Sequence, residues 1–334
     1  MKNSRRIFAG LGLVLAVGCF AVVISLNRKP ATFPPLPSPN GYDDFTNASA
    51  NATADVGNIS AMDLQALHLC IRSNATALEL VRMGLSRKCS APTEATILNF
   101  TNVHVALSGQ KRLAQLLNGE GRLAELEGRT NDAVRSYLDC VRLGNEVSRG
   151  GFAINRLVGV ACEAIGGSAL SRLAPTLSRD ASMVVITDLM TLDTNAVTWN
   201  EVMTNEKEFI RNERRGNFNP IRLGIEWWQS RAVLKHAKTR HDMSAVKRRL
   251  IAVELALRLH QAENGQPPAQ LSDLVPRYLS RVPTDPFTGK ELIYRPQGTN
   301  WLLYSVGEDG KDDGGTAVTG RKLGATGDVL FNTP

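Results

Sequence analysis

Val282-Pro283-Thr284-Asp285-Pro286-Phe287-Thr288-Gly289-Lys290, close to the end of the chain, is the stretch whose reading decides the fold. Upstream of it, Val246, Leu250, Val253 and Leu257 recur with Ile251, Leu255 and Leu259 as a broad apolar stripe at helical spacing. Asn264-Gly265-Gln266-Pro267-Pro268 stops that helix, because glycine accepts the left-handed turn and proline cannot continue the ladder. Leu271 to Leu279 predicts a short second helix, and Asp285 to Lys290 a turn. Downstream, Glu291 to Tyr294 and Trp301 to Val306 read as strands joined through Gln297-Gly298-Thr299-Asn300 as a hairpin. Residues 245–334 are thus expected to form a small α+β module: a helix on an antiparallel hairpin, followed by a loop crowded with Asp and Gly.

Working outward, 334 residues at 43% hydrophobic content can bury a sizeable core. The net charge of +7 is localised: residues 205–250 hold twelve Lys or Arg against five Asp or Glu, which leaves the rest of the chain neutral. This segment carries Trp227 and Trp228, then Arg231, Lys235, Lys238, Arg240, Lys247, Arg248 and Arg249. The plain reading is a solvated helix face with one tryptophan in the core. The sharper one is a contact with an anionic lipid or cell-envelope surface. Nucleic acid is not an expected partner for a domain outside the cytoplasm.

That placement comes from the amino end. Lys2, Arg5 and Arg6 precede an uncharged run from Ile7 to Leu26, and Arg28 and Lys29 close it. A helix of that length spans roughly 30 Å, the thickness of a bilayer's hydrocarbon core. Residues 7–26 are read as a single-pass transmembrane helix, residues 1–6 as a basic cytoplasmic tail and the body as extracytoplasmic, in the periplasm. A cleaved signal peptide needs a shorter apolar run and a small-residue exit. Ala16 to Cys19 approximates a lipid-attachment box, but the apolar run continues past it, and Ser4 to Phe8 fits the start of a twin-arginine signal.

Residues 27–60 read as a Pro-rich and polar linker, with Pro30, Pro34, Pro35, Pro37 and Pro39 favouring an extended spacer and a weak helix after it. Sequons start at Asn47, Asn51, Asn58, Asn74 and Asn99, which would be glycan sites in a eukaryotic secretory protein and accidents of composition in a bacterium. Residues 61–244 read as a helical body, from spacings such as Leu64, Leu67, Ile71 and Leu78, Val81, Leu85. Within it Gly121, Gly128, Ala133, Tyr137 and Cys140 resemble one tetratricopeptide unit, although Asn145 stands at the proline position. Gly159 and Gly166 repeat only the glycine spacing. An irregular array of helical hairpins is expected, making the chain mainly α with a small α+β carboxyl-terminal module. Cys70, Cys89, Cys140 and Cys162 could form two bridges in an oxidising compartment or stand as buried free thiols; the latter fits their apolar neighbours.

The terminal stretch resembles the carboxyl-terminal region of the major pseudopilins of type II secretion. The likeness rests on the helix ending in Asn264 to Pro268, the Asp285 to Lys290 turn, Tyr304-Ser305-Val306-Gly307 with Asp309-Gly310, the Gly314-Gly315 pair and Asp328-Val329. The whole chain also resembles a group of membrane-anchored proteins of planctomycete-type bacteria that share this ending. The pseudopilin resemblance implies a structural Ca²⁺ in the acidic loop, with Asp309, Asp312, Asp313 and Asp328 as the matching ligands. Such a hard cation takes six to eight oxygens, carboxylates and carbonyls together.

Three functions follow as expectations. The first is a membrane-anchored extracytoplasmic interaction or scaffold protein, not an enzyme, with a protein partner. The second is a component of a secretion or pilus-like apparatus. The third is an envelope-associated enzyme or, were the sequons used, a membrane glycosyltransferase. No nucleophile elbow, metal-ligand His cluster or phosphate loop supports the third, and no catalytic residue is proposed.

Overall fold

The computed structural model describes residues 33–53, 59, 61–92, 100–213, 220–317 and 326–331, with the side chains of 100–107 and 209–230 left aside. The 7–26 anchor, residues 27–32 of the proline spacer, Asn58 and Asn99, and the side chains of Trp227 and Trp228 fall outside what is described. The fold is mainly helical, with a small three-stranded antiparallel sheet at the carboxyl-terminal end.

The helices are α1 (Gly41–Asn51), α2 (Leu64–Ser73), α3 (Ala75–Leu85), α4 (Phe100–Leu126), α5 (Thr130–Glu146), α6 (Ala153–Leu173), α7 (Arg179–Thr194), α8 (Trp199–Glu213) and α9 (Pro220–Asn264). Side-chain caps open several of them. Asn40 accepts from the Tyr42 amide, Asp63 from Ala66 and Ser178 from Ala181, each satisfying an amide the helix cannot.

The helical hairpins are as close as their glycines allow. Gly128, at φ +74°, ends α4, and the Arg129 amide turns back to the Ala124 carbonyl at 2.8 Å. The absent side chain of Gly121 leaves room for the ring of Tyr137, which is fully buried. In the next hairpin, a Cβ on Gly166 would stand 2.5 Å from the Tyr137 carbonyl oxygen and 3.0 Å from the Cys140 Cβ. The spacing that resembles a tetratricopeptide unit therefore marks the real contact line between α4, α5 and α6.

Two cores meet along α5 and α6. One gathers Phe45, Leu67, Val81, Leu113, Leu117 and Leu143 from α1 to α5. The other joins Leu138, Leu170, Ile186, Leu250, Val253, Leu279 and Leu303, so that the terminal sheet and the helical body share it. Residues 41–51, assigned by sequence to the linker and at most a weak helix, instead form α1 and bury Tyr42, Phe45 and Ala48 on one face. Only three apolar side chains carry that face, too few to stand out in a run rich in Asn, Ser and Ala. The boundary drawn at residue 245 falls inside α9, a single helix of 45 residues.

Beyond α9, Leu271–Leu274 is a 3₁₀ turn and the expected second helix goes no further. Pro276, with no amide to donate, stops it. The strands β1 (Ile293–Gln297), β2 (Asn300–Ser305) and β3 (Val329–Leu330) lie in that order, with Tyr294 opposite Leu303 and Pro296 opposite Trp301. Proline is tolerated there because β1 is an edge. Gly298, at φ +64°, makes the expected hairpin turn. The Asp285 turn has a structural use. Its carboxylate is 1% exposed and accepts from the amides of Phe287 at 2.9 Å and Val306 at 3.1 Å, stapling the turn to the end of β2.

All four described cysteines are free thiols. Asn74 is buried and spends its amide on the Cys70 carbonyl and the Thr53 N–H, so a glycan has no room there. Ala153–Thr176, α6 and the turn after it, is the one stretch among the described residues long and apolar enough to cross a membrane. It packs against α4, α5 and α9 and carries a buried ion pair, which makes it a core helix.

Candidate functional site

The acidic loop after β2 sets the four sequence-predicted aspartates to different tasks. Asp328 is fully buried. Its carboxylate accepts from the amides of Gly315 at 2.7 Å and Asp313 at 3.4 Å, and its own amide donates to the Thr316 carbonyl at 2.7 Å. Burial pushes its carboxyl up, against the pull of those two amides. Asp312 accepts from the Tyr304 hydroxyl at 2.6 Å, the Gly314 amide at 2.9 Å and the Arg295 guanidinium at 2.6 Å. The Tyr304 hydrogen bond, then the Gly314 amide, hold its carboxyl low. Asp309 accepts from the Lys311 amide through Oδ1, while its Oδ2 is buried with no hydrogen-bond partner among the described residues. Asp313 is exposed.

This arrangement does not gather the four carboxylates around one point. Asp312 is neutralised by Arg295, and Asp328 serves as an acceptor for the loop's backbone. Among the described residues no group of three or more His, Cys, Asp or Glu side chains is placed to share a metal ion. Two of the four, Asp309 and Asp313, keep oxygens that a hard cation could use.

A second constellation lies at the contact of α6 with α9. Glu163 is 3% exposed and faces two buried guanidiniums, Arg156 at 1% and Arg248 at 5%. Arg156 donates to it through Nη1 at 2.6 Å and Nη2 at 3.2 Å; the Ser244 hydroxyl and Arg248 Nη1 also donate to Oε2. Arg156 Nε donates to His241 Nδ1 at 2.8 Å. Burial pushes the Glu163 carboxyl up, but Arg156 and Arg248 outweigh it and hold it at about 2. Burial, reinforced by Arg156, drives His241 down to about 3, so the imidazole is neutral. Two guanidiniums against one carboxylate leave the cluster with one positive charge in excess. With its oxygens saturated and its proton affinity so low, Glu163 is a counter-ion and no proton acceptor near neutral pH.

Beside this cluster α6 and α9 part to leave a cleft of about 310 Å³. Val141, Val160, Leu189 and Ile251 supply apolar wall; Arg240, Lys247 and Arg248 supply cations. Sequence reasoning missed this site. Its signal was present, in that Arg156 and Glu163 stand seven residues apart on one face of an otherwise apolar helix.

The basic segment that contributes Arg248 is less free than its charge count suggests. Arg248 turns inward to Glu163, Arg249 pairs with Asp193 at 2.9 Å and Lys238 pairs with Asp242.

Compared with known protein families, curated proteins and solved structures, the chain shows no match.

Proposed function

We propose that the chain is a membrane-anchored, extracytoplasmic scaffold or interaction protein without a catalytic role, held by residues 7–26 with its amino end in the cytoplasm. One observation carries the scaffold reading: the helical body and the terminal sheet share one hydrophobic core through α9. Such a core fixes the sheet and its acidic loop on the body as one unit, which suits presentation to a protein partner. The exposed basic side chains of α9, Lys235 and Lys238 among them, are the surface proposed to meet an anionic envelope or lipid layer. A place in a secretion or pilus-like apparatus is the alternative partner class, and it rests on the terminal resemblance.

Expression of the full chain with a carboxyl-terminal tag, followed by carbonate extraction and protease treatment of spheroplasts, tests the anchoring and the orientation together. Retention in the membrane with loss of the tag to external protease is the expected result. A protected tag, or release by carbonate, overturns it.

A second reading, structural calcium in the acidic loop, is favoured by the Oδ2 of Asp309, buried with no hydrogen-bond partner among the described residues. Asp309 and Asp313 would hold the ion together with loop carbonyls, and its role would be to fix the loop.

A further inference from the structure

The cleft between α6 and α9 has an uncommon combination of properties. Its inner wall carries Arg248, 5% exposed, whose Nε–H is buried with no hydrogen-bond partner among the described residues. A buried donor left unpaired is costly, and a charged one more so. Glu163 cannot satisfy it, because its two oxygens already take four donors from Arg156, Ser244 and Arg248 Nη1. The excess positive charge of this cluster therefore lies against the cleft that Arg248 helps to line. Arg240, two turns earlier on α9, lines the same cleft and forms no ion pair among the described residues. Val160, Leu189 and Ile251 add aliphatic wall, with the hydroxyls of Ser168 and Ser171 beside it. At Gly167 an added Cβ would meet only the Ile251 Cδ1, at 3.8 Å, so the space there is real.

Chemistry narrows the occupant. An excess cation beside an unpaired N–H selects an oxyanion over a neutral group. Aliphatic walls select an apolar body, which a bare inorganic anion lacks. A volume of about 310 Å³ is at the small end for ligand sites and excludes a long acyl chain.

We propose that this cleft binds a small amphiphilic carboxylate, with its oxyanion on Arg240 and the charge of Arg248 behind it, and its apolar body against Val160, Leu189 and Ile251. The site is independent of the acidic loop and of the scaffold role.

Titration calorimetry on the full chain tests it with 4-phenylbutyrate, its neutral amide and inorganic phosphate. The carboxylate is expected to bind saturably, and the amide and phosphate at least about tenfold more weakly, the worth of a charge-assisted hydrogen bond. Gly167→Leu fills the cleft from its open side and is expected to abolish binding while the circular dichroism and urea midpoint hold. Should that variant fold poorly, Arg240→Gln serves instead, at the rim of the cleft, and is expected to weaken the carboxylate about tenfold and leave the amide unchanged. Equal affinity for carboxylate and amide, no saturable binding, or binding untouched by both substitutions overturns the proposal.

Discussion

Arg156 reaches Glu163 across two turns of α6 with an Nη1 to Oε1 distance of 2.6 Å, and both side chains are excluded from solvent. Glu163→Gln keeps the shape and removes the carboxylate that, among the described residues, accepts from both Arg156 and Arg248. Leaving buried charge uncompensated costs about 3–5 kcal/mol, so the urea midpoint should fall sharply. A change below about 1 kcal/mol would mean that the guanidiniums find other acceptors.

The same cluster sets an acid limit on the fold. His241, faced by Arg156, Arg248 and Lys238, is lowered by burial to about 3, and Glu163 is held at about 2. For each group the unfolded chain binds the proton more readily, so each contribution to stability is complete above the unfolded value and shrinks on acidification. The His241 contribution should fade from about pH 6.5 to about 3, and the Glu163 contribution from about 4.5 to about 2. Melting temperatures across pH 3 to 7 check this, and His241→Asn should flatten the upper part of the curve.

Two adjacent glycines should respond in opposite ways. Gly166→Ala drives a methyl against the Tyr137 carbonyl of α5, and backbone cannot move aside. It should destabilise by about 1–3 kcal/mol. Gly167→Ala meets open space, where exchanging glycine for alanine inside a helix gains up to about 1 kcal/mol. Chemical denaturation of the pair tests the α5–α6 contact directly.

The thiols should divide by access. Burial pushes Cys89 and Cys162 up to about 12 and Cys140 well above its usual value, while Cys70 is half-buried and raised by burial as well. Iodoacetamide followed by peptide mapping should label Cys70 slowly in the native protein and Cys89, Cys140 and Cys162 only in denaturant.

Millimolar calcium against chelator in a thermal melt decides the second reading of the loop. A rise in melting temperature lost in Asp309→Ala with Asp313→Ala supports an ion there, since a ligand of the folded state stabilises by mass action. Identical melts remove it. In either case Asp328→Ala should cost about 1–3 kcal/mol, because the Gly315 and Asp313 amides lose their acceptor.

What could be read from the sequence was what local chemistry encodes. The apolar stripe of α9, the turn at Gly298 and the small residues at Gly121 and Gly128 each follow from spacing or residue type alone. Contacts between distant residues were not legible. Glu163 and Arg248 are 85 positions apart, and nothing local marks the arginine as the one that turns inward. The internal bonding of the acidic loop was hidden for a related reason: Arg295 and Tyr304, the partners that occupy Asp312, come from the hairpin before it.

Asn40 pairs with Ser90 through both halves of its amide, accepting from the backbone N–H at 3.0 Å and donating to the carbonyl at 2.9 Å, while the Gly41 amide bonds to Lys88. These bonds clasp the chain immediately before α1, downstream of the Phe33 ring that packs edge-on against Phe152. A pull from the amino side therefore loads several hydrogen bonds side by side before it reaches Phe45. The load then passes to the packed faces of α1 against α3 and α4, so tension on a tether would have to shear both seams before α1 came free.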